Sequence, residues 1–437
     1  MPASLPVGLN PRSSIAATNL IARALLSALA FAFLVTTGSA WSQTPTLVQH
    51  YYSGSNAPPR GLNAPNYTFR LPNKTLAGNA LVMFLDYPHG SLVSSIEDNQ
   101  GNIWPISAAA TADGGVGSPV TAVYVLPNAA AGTREIKVTF NTSVSGIHAA
   151  FLEYYNVDTS AAVGSTAARG NALAPTITSG ALLPSAAASG NLVLNYAMDN
   201  EGQIGSQSSV AVTAWSAGNG WEMLGGDINN SHDTSSFALQ ARIADGTNFS
   251  PTMTATQSRA DGFNSIAVEL RAANAGTAPA AGIRIIKQQF YVHTALAVPG
   301  TWREFFPAQG NLLAAINIYH GSTTSPISDS NGNQWTQAHT DSGVPAMQYA
   351  QNAVTSPALA VTIPLTSANS NTTIVLFDIA GAASSGVLAQ GLTVGSRSAN
   401  GASTVTNAPS ITPRNPDGLI IVATAFGQGP ATGFTAG

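Results

Sequence analysis

Residues 95–104 read SIEDNQGNIW, and residues 326–335 read PISDSNGNQW. The two stretches align without a gap at an offset of 332 − 101 = 231 residues, which sets Gly101 against Gly332. The same offset pairs Ile96 with Ile327, Asp98 with Asp329, Asn102 with Asn333, Trp104 with Trp335, and His89-Gly90 with His320-Gly321. Other landmarks recur in the same order with small gaps. NALVMFLDYPHG (79–90) matches NLLAAINIYHG (311–321), AFLEY (150–154) matches VLFDI (375–379), APTIT (174–178) matches APSIT (408–412), and GNLVLNYAM (190–198) matches DGLIIVATAF (417–426). Shared order over so long a period is far beyond the 20–50 residues of a solenoid repeat and marks a duplicated domain. The first copy is bounded at 41–271 and the second at 283–437, with AANAGTAPAAG (272–282) between them as a short Ala/Gly/Pro linker that permits a modest pivot. The tail GFTAG (433–437) resembles AWSAG (214–218), after which copy one continues for 271 − 218 = 53 residues. The second copy is therefore expected to be incomplete at its C-terminus, as in a fragment of a longer protein.

The local pattern is β throughout. LVQHYY (47–52), ALVMFLDY (80–87), VTAVYVL (120–126), REIKVTF (134–140), AFLEYY (150–155), NLVLNYA (191–197), FALQARI (237–243) and IRIIKQQFYV (283–292) are short and rich in β-branched or aromatic residues. Gly, Pro, Asn or Ser bound them. Continuous apolar runs such as ALVMFL suit central strands, and no 3.6-residue period appears. The expected fold is all-β: two tandem jelly-roll-like β-sandwich domains of over 200 residues each, the second incomplete. Charged residues make up only 8% of the chain while hydrophobic residues make up 44%, so sizeable cores can form and polarity falls to Ser, Thr, Asn and Gly.

The N-terminus reads as an export signal. Arg12 and Arg23 precede ALLSALAFAFLV (24–35), a run too short to span a bilayer, and Gly38 and Ala40 supply the small residues of a cleavage site. Residues 1–40 are thus the expected signal peptide, leaving no membrane span after cleavage and a secreted, extracellular or cell-surface protein, with the periplasm as an alternative. The chain has no cysteine, which removes thiol catalysis and Cys-ligated metals. Its net charge is −4 with no Lys/Arg cluster, so no nucleic-acid partner is expected.

Asp98-Asn99-Gln100-Gly101 and Asp329-Ser330-Asn331-Gly332 read as hairpin turns. Asp accepts backbone N–H bonds, Gly takes a positive φ, and Trp104 or Trp335 anchors the next strand in the core. The competing reading is a calcium loop built on Asp329, Asn331 and Asn333 at alternate positions; the equivalents Asp98, Gln100 and Asn102 are a poorer ligand set. No other cofactor is implied.

The Asp-x-x-Gly-Asn-x-Trp turn resembles one found in secreted bacterial tandem β-sandwich domains of uncharacterised function. There it is followed by a strand like AVYVLPNAAAGTREIKVTF (122–140) and another ending in Glu-Tyr, matched by Glu153-Tyr154 but not by Asp378-Ile379. The resemblance spans most of the mature chain and implies fold and export, with no active site.

Candidate chemistry is sparse. The histidines show no H-E-x-x-H spacing, and no G-x-S-x-G elbow is present. His89 and His320 are equivalent strand-end positions that suit a ligand-contacting loop pair. Asp227 to Asp233 (DINNSHD), with His232, is the densest set of oxygen ligands and a candidate calcium or sugar site. Glu153 and Asp378 recur in equivalent strands, with Asp86 as a conceivable partner for glycosidase chemistry. Tyr51, Tyr52, Tyr87, Trp215, Trp221 and Trp302 would stack sugars if exposed. The leading expectation is a non-catalytic binding or adhesion protein for an extracellular glycan or surface protein. A glycan-active hydrolase and a structural spacer are the alternatives.

Overall fold

The computed structural model describes residues 43–52, 64–144, 146–182, 190–200, 212–227, 236–247, 250–257, 262–293, 300–319, 327–339, 346–354, 359–363, 372–387 and 418–421. The chain divides into two compact units, Met1–Ser42 and Gln43–Gly437. The expected signal peptide, 1–40, lies outside the described residues. The described part is all-β, and no helix in it is long and apolar enough to cross a membrane.

Three sandwiches succeed one another along the chain. The first contains β1 (Thr46–Tyr52), β2 (Ala64–Arg70), β3 (Ala80–Pro88), β4 (Val93–Asp98), β5 (Ala110–Asp113), β6 (Pro119–Leu126), β7 (Glu135–Val144) and β8 (His148–Tyr155). The second contains β9 (Val163–Leu173), β10 (Thr176–Thr178), β11 (Leu192–Asp199), β12 (Val212–Ala217), β13 (Glu222–Asp227), β14 (Phe237–Ile243), β15 (Thr252–Gln257) and β16 (Gly262–Leu270). The third contains β17 (Arg284–His293), β18 (Gly300–Phe305), β19 (Leu312–Tyr319), β20 (Ser328–Asp329), β21 (Trp335–His339), β22 (Ala346–Ala350), β23 (Leu359–Ile363) and β24 (Thr372–Ala380).

Strand order is the same in all three. The first has a five-stranded sheet β1-β8-β3-β6-β5 against β2-β7-β4, the second β9-β16-β11-β14-β13 against β10-β15-β12, and the third β17-β24-β19-β22-β21 against β18-β23-β20. First pairs with eighth, second with seventh and third with sixth, all antiparallel, as in a long hairpin rolled up on itself. That is a jelly roll. The expected domain of over 200 residues at 41–271 therefore holds two jelly rolls, and the 231-residue offset relates pairs of sandwiches rather than single ones. The reason the pattern was hidden is length: each roll needs only about 110 residues because its loops are short.

The sandwiches share cores. β1 and β17 pair in parallel, joining the first and third five-stranded sheets into one ten-stranded sheet. The second sandwich lays its five-stranded sheet face to face on the first, and Val82, Phe84, Val123, Leu152, Leu194, Tyr196, Leu239 and Ile266 form the core between them. Strands such as β3 and β6 are thus buried on both faces, which is why they read as unbroken apolar runs.

Facing is set by register, because residues directly opposite on neighbouring strands point to one side. His50 and Tyr52 face the second sandwich. Lys287 and Gln289 lie beside them on β17 and pair in turn with Asp378 and Leu376 on β24, yet Leu376 faces the third sandwich's own small sheet. The small sheets of the first and third sandwiches therefore lie on opposite faces of the ten-stranded sheet.

The segment 272–282 is pinned rather than free to pivot. Ala272 N donates to Asn191 Oδ1 (2.8 Å), Ala273 N to the Asn156 carbonyl (2.9 Å), and Thr277 N to Asn79 Oδ1 (2.7 Å). Immediately beyond it, the β1–β17 pairing fixes the start of the third sandwich.

Candidate functional site

Each sandwich contains the same buried carboxylate lock, on the penultimate or neighbouring residue of its last strand. Glu153 Oε1 accepts Leu76 N (2.9 Å) and Asn79 Nδ2 (2.6 Å), and its Oε2 accepts Gln49 Nε2 (2.6 Å). Glu269 accepts Ser165 N (2.8 Å) and Asn191 Nδ2 (2.8 Å). Asp378 accepts Ala308 N (2.8 Å) and Asn311 Nδ2 (2.6 Å). The three Asn residues each come directly after a glycine of positive φ: Gly78 (78°), Gly190 (104°) and Gly310 (81°). Burial pushes the Glu153 and Asp378 carboxyls above their ordinary values, against the pull of these donors. The glycosidase reading of Glu153 and Asp378 fails on this geometry, since each carboxylate is turned into its own sandwich and tied to N–H donors. Gly-Asn at 78–79, 190–191 and 310–311, spaced by 190 − 78 = 112 and 310 − 190 = 120 residues, was the available signal for the smaller repeat.

The repeated ten-residue stretch is a corner and not a hairpin. β4 belongs to the three-stranded sheet and β5 to the five-stranded one, so Asp98–Trp104 carries the chain across the sandwich. Asp98 Oδ1 accepts Gln100 N (2.9 Å) and Asn102 N (3.2 Å); Oδ2 accepts Asn102 Nδ2 (2.9 Å) and Trp104 Nε1 (2.7 Å). Asp329 repeats this with Asn331 N (2.9 Å), Asn333 N (3.1 Å) and Trp335 Nε1 (2.6 Å). Gly101 and Gly332 take φ of 71° and 73°. Trp104 and Trp335 are buried in their sandwich cores. Asn333 Oδ1 accepts Val354 N (2.7 Å), and the Asn331 and Asn333 amides donate to the Val354 carbonyl (3.0 and 3.1 Å). Asp329 and Asn333 thus commit both side-chain polar atoms, and Asn331 its amide nitrogen, to the turn and its neighbour. To bind calcium they would have to release those bonds, so the turn accounts for them.

Between the first and second sandwiches lies a sealed polar cluster that sequence reasoning did not assemble. Asp86 Oδ1 accepts Thr121 Oγ1 (2.5 Å), and Oδ2 accepts Tyr196 Oη (2.5 Å) and lies 3.2 Å from His148 Nδ1. Tyr196 Oη is 3.0 Å from the same nitrogen. Burial, then Asp86, pushes the Tyr196 phenol up, so it stays a proton donor. All four side chains are fully buried, with rings of Phe84 and Phe237 packed on Tyr196. The types are those of acid–base catalysis, but no substrate reaches them. The pairing of Asp86 with Glu153 also fails, because successive positions put them on opposite faces of the first sandwich's large sheet.

A third cluster joins all three sandwiches. Lys287 is fully buried; its Nζ donates to the Leu224 carbonyl of β13 (2.7 Å) and lies over the rings of Tyr52, Phe305 and Phe306 at 5.6, 5.0 and 5.4 Å. His50 shares a 2.9 Å hydrogen bond with Tyr52 Oη. Burial and then Lys287 push the His50 imidazole well below its ordinary value, so it is neutral.

An accessible polar group lies at one sandwich end. His89 Nδ1 lies 2.9 and 3.0 Å from the two Asp113 carboxylate oxygens, half-exposed, and Asp113 Oδ1 accepts Gly115 N (2.8 Å). Asn171 Nδ2 donates to the Gly114 carbonyl (2.8 Å), and Asn200 Nδ2 to Asn171 Oδ1 (2.7 Å). Asn264 Nδ2 donates to the Pro119 carbonyl (2.7 Å). The side-chain oxygens of Asn200 and Asn264 are buried without a hydrogen-bond partner. Val116, in the loop between β5 and β6, is almost fully exposed.

Of the remaining expected site residues, His320, His232 and Asp233 lie outside the described residues, and Asp227 is placed only by its backbone pairing with Phe237. Tyr52, Tyr87 and Trp215 are buried and do not offer a sugar-stacking platform. Among the described residues, no three His, Asp or Glu side chains gather as a metal site.

No protein-family model matches the chain, and no curated protein matches it. A solved structure described as "The Triple Jelly Roll Fold and Turret Assembly in an Archaeal Virus" is similar over 77% of this chain and 89% of its own, at 10% identity and a TM-score of 0.16. At that score the likeness carries no argument, and the jelly roll rests on strand order.

Proposed function

We propose that the protein is an exported, non-catalytic scaffold that binds or displays rather than converts. The observation that supports this best is that the described carboxylates of the repeat are consumed in scaffolding, while the ten-stranded sheet and shared cores make three sandwiches one stiff body. A stiff body with short loops suits presentation of a surface at a distance from a cell. The low charge of the chain favours a neutral, hydroxyl-rich extracellular partner such as a glycan. The sandwich end carrying His89, Asp113, Asn171 and Asn200 is the best seat for it, because the half-exposed His89–Asp113 pair there offers carboxylate and imidazole groups to a hydroxyl.

A glycan array with the labelled protein, followed by analysis of the bound glycans, tests the reading. Retention that weakens in Asp113→Ala and His89→Ala, with every glycan recovered intact, is the expected result. Cleaved glycan would instead establish a hydrolase, and absence of retention would leave the spacer reading in place of the binding one.

A further inference from the structure

The third sandwich has an apolar face that its own small sheet does not cover. Ile285, Ala314, Ile316, Val375, Phe377 and Ile379 form a buried cluster on the side of the five-stranded sheet away from β18-β23-β20. Register identifies the equivalent face of the first sandwich. Leu81 lies opposite Glu153 and Phe84 opposite Ala150; Leu313 lies opposite Asp378 and Ile316 opposite Val375. With the two carboxylate locks in correspondence, Val82, Phe84, Ala150 and Leu152 map onto Ala314, Ile316, Val375 and Phe377. The former set is the surface on which the second sandwich sits.

Two observations point to what covers the latter. Ile421 packs against this cluster, while Ile420 is 48% exposed. GNLVLNYAM (190–198) matches DGLIIVATAF (417–426), and with Leu419 set on Leu192, Ile421 falls on Leu194 and Ile420 on Val193. Leu194 faces the first sandwich, and Val193 faces the other way. The inward and outward positions agree. The sequence also repeats the first strand of the second sandwich: Val163-Gly164-Ser165, Ala168 and Gly170 recur as Val394-Gly395-Ser396, Ala399 and Gly401 at 394 − 163 = 231.

We propose that this face is the docking seat of the chain's own C-terminal segment, which reaches it at 418–421, where Ile421 packs against the cluster. The segment covers on the third sandwich the face that the second sandwich covers on the first. Because the small sheets of the first and third sandwiches lie on opposite faces of the ten-stranded sheet, the second sandwich and this segment lie against it from opposite sides.

The chain has no cysteine, so a single Ile316→Cys reports cleanly on this face. Maleimide labelling of that thiol in the full chain should be slow. Aspartate introduced at Ile421 should speed it by about tenfold or more, because the charge would enter an apolar interface. Aspartate at Ile420, whose side chain is exposed, should leave it within about twofold. Ala150→Cys, the matching position under the second sandwich, should stay protected throughout. Where an aspartate variant does not fold, Ile421→Ala and Ile420→Ala give the same ordering. Fast labelling in the parent chain, or equal effects at Ile420 and Ile421, would overturn the proposal.

Discussion

Replacing Glu153 by alanine removes an acceptor shared by three donors in a site that water does not enter. Leu76 N, Asn79 Nδ2 and Gln49 Nε2 all point at its two oxygens. A buried donor left unpaired costs about 1–3 kcal/mol, so three would cost about 3–9 kcal/mol if none found a substitute. Two effects hold the sum to the lower end. Gln49 Nε2 keeps a second acceptor, the Asn73 carbonyl (3.1 Å), so it is not left unpaired. The raised carboxyl pKa also means that the ionised side chain is itself held at a cost, which alanine relieves. The expected loss is about 3 kcal/mol, read as a shift of the urea midpoint at constant m with tryptophan fluorescence as the probe. Because Asn79 also anchors Thr277, the segment 272–282 should exchange its amide hydrogens faster in the same variant. A Glu153→Ala protein within about 0.5 kcal/mol of the parent, with that segment still protected, would refute the lock as a stabilising device.

The carboxyls of Glu153 and Asp378 both titrate above their ordinary values of 4.5 and 3.8, so the folded chain holds more protons than the unfolded one across that window. Their contribution is fully present below the ordinary values and is lost as pH rises through the folded ones; urea stability measured upward from pH 4 should therefore fall less steeply in Glu153→Gln/Asp378→Asn. Asp158 and Asp245, held low by turn donors, act with the opposite sign, and only as pH falls below 3.8. Trp104→Phe and Trp335→Phe keep an aromatic ring but remove the N–H donated to Asp98 and Asp329 and leave part of the buried indole's volume empty; each should cost about 2–3 kcal/mol, and Asp98→Ala combined with Trp104→Phe should cost less than the sum, as a double-mutant cycle would show. Gly225 lies under Tyr52, where an added Cβ would sit 2.5 Å from the ring. Gly225→Ala should cost about 1–3 kcal/mol in thermal denaturation by displacing that ring from Phe237 and His50.

Much of the fold was legible. The unbroken run ALVMFL (80–85) announced a central strand, and β3 lies inside its sheet, buried on both faces. The duplicated turn announced two equivalent places in the fold, and Asp98 and Asp329 occupy them with the same hydrogen bonds. What was not legible was the pairing of β4 and β5. Asp-x-x-Gly reads as a hairpin because turn chemistry is local, whereas which sheet each flanking strand joins is decided by partners far away in sequence. The polar clusters escaped for the same reason: Asp86, Thr121, His148 and Tyr196 come from four strands and two sandwiches.

The smaller repeat escaped because neighbouring sandwiches face different demands. The first and third each present an opening strand for parallel pairing, so β1 and β17 carry His50, Tyr52, Lys287 and Gln289 into a crowded junction. The second instead lays its large sheet across the first, and its opening strand β9 has a single partner, β16, in its sheet. Position by position, those roles select different side chains, and the Asp-x-x-Gly-Asn-x-Trp corner is replaced in the second by GNGW (218–221). Only what every sandwich needs internally survives in all three: a glycine that turns the chain left-handed, an asparagine after it, and an acid at the far strand to receive both the asparagine amide and a backbone N–H. Similarity is consequently strongest between alternate units, and a chain built from one small fold displays a period twice as long as the fold itself.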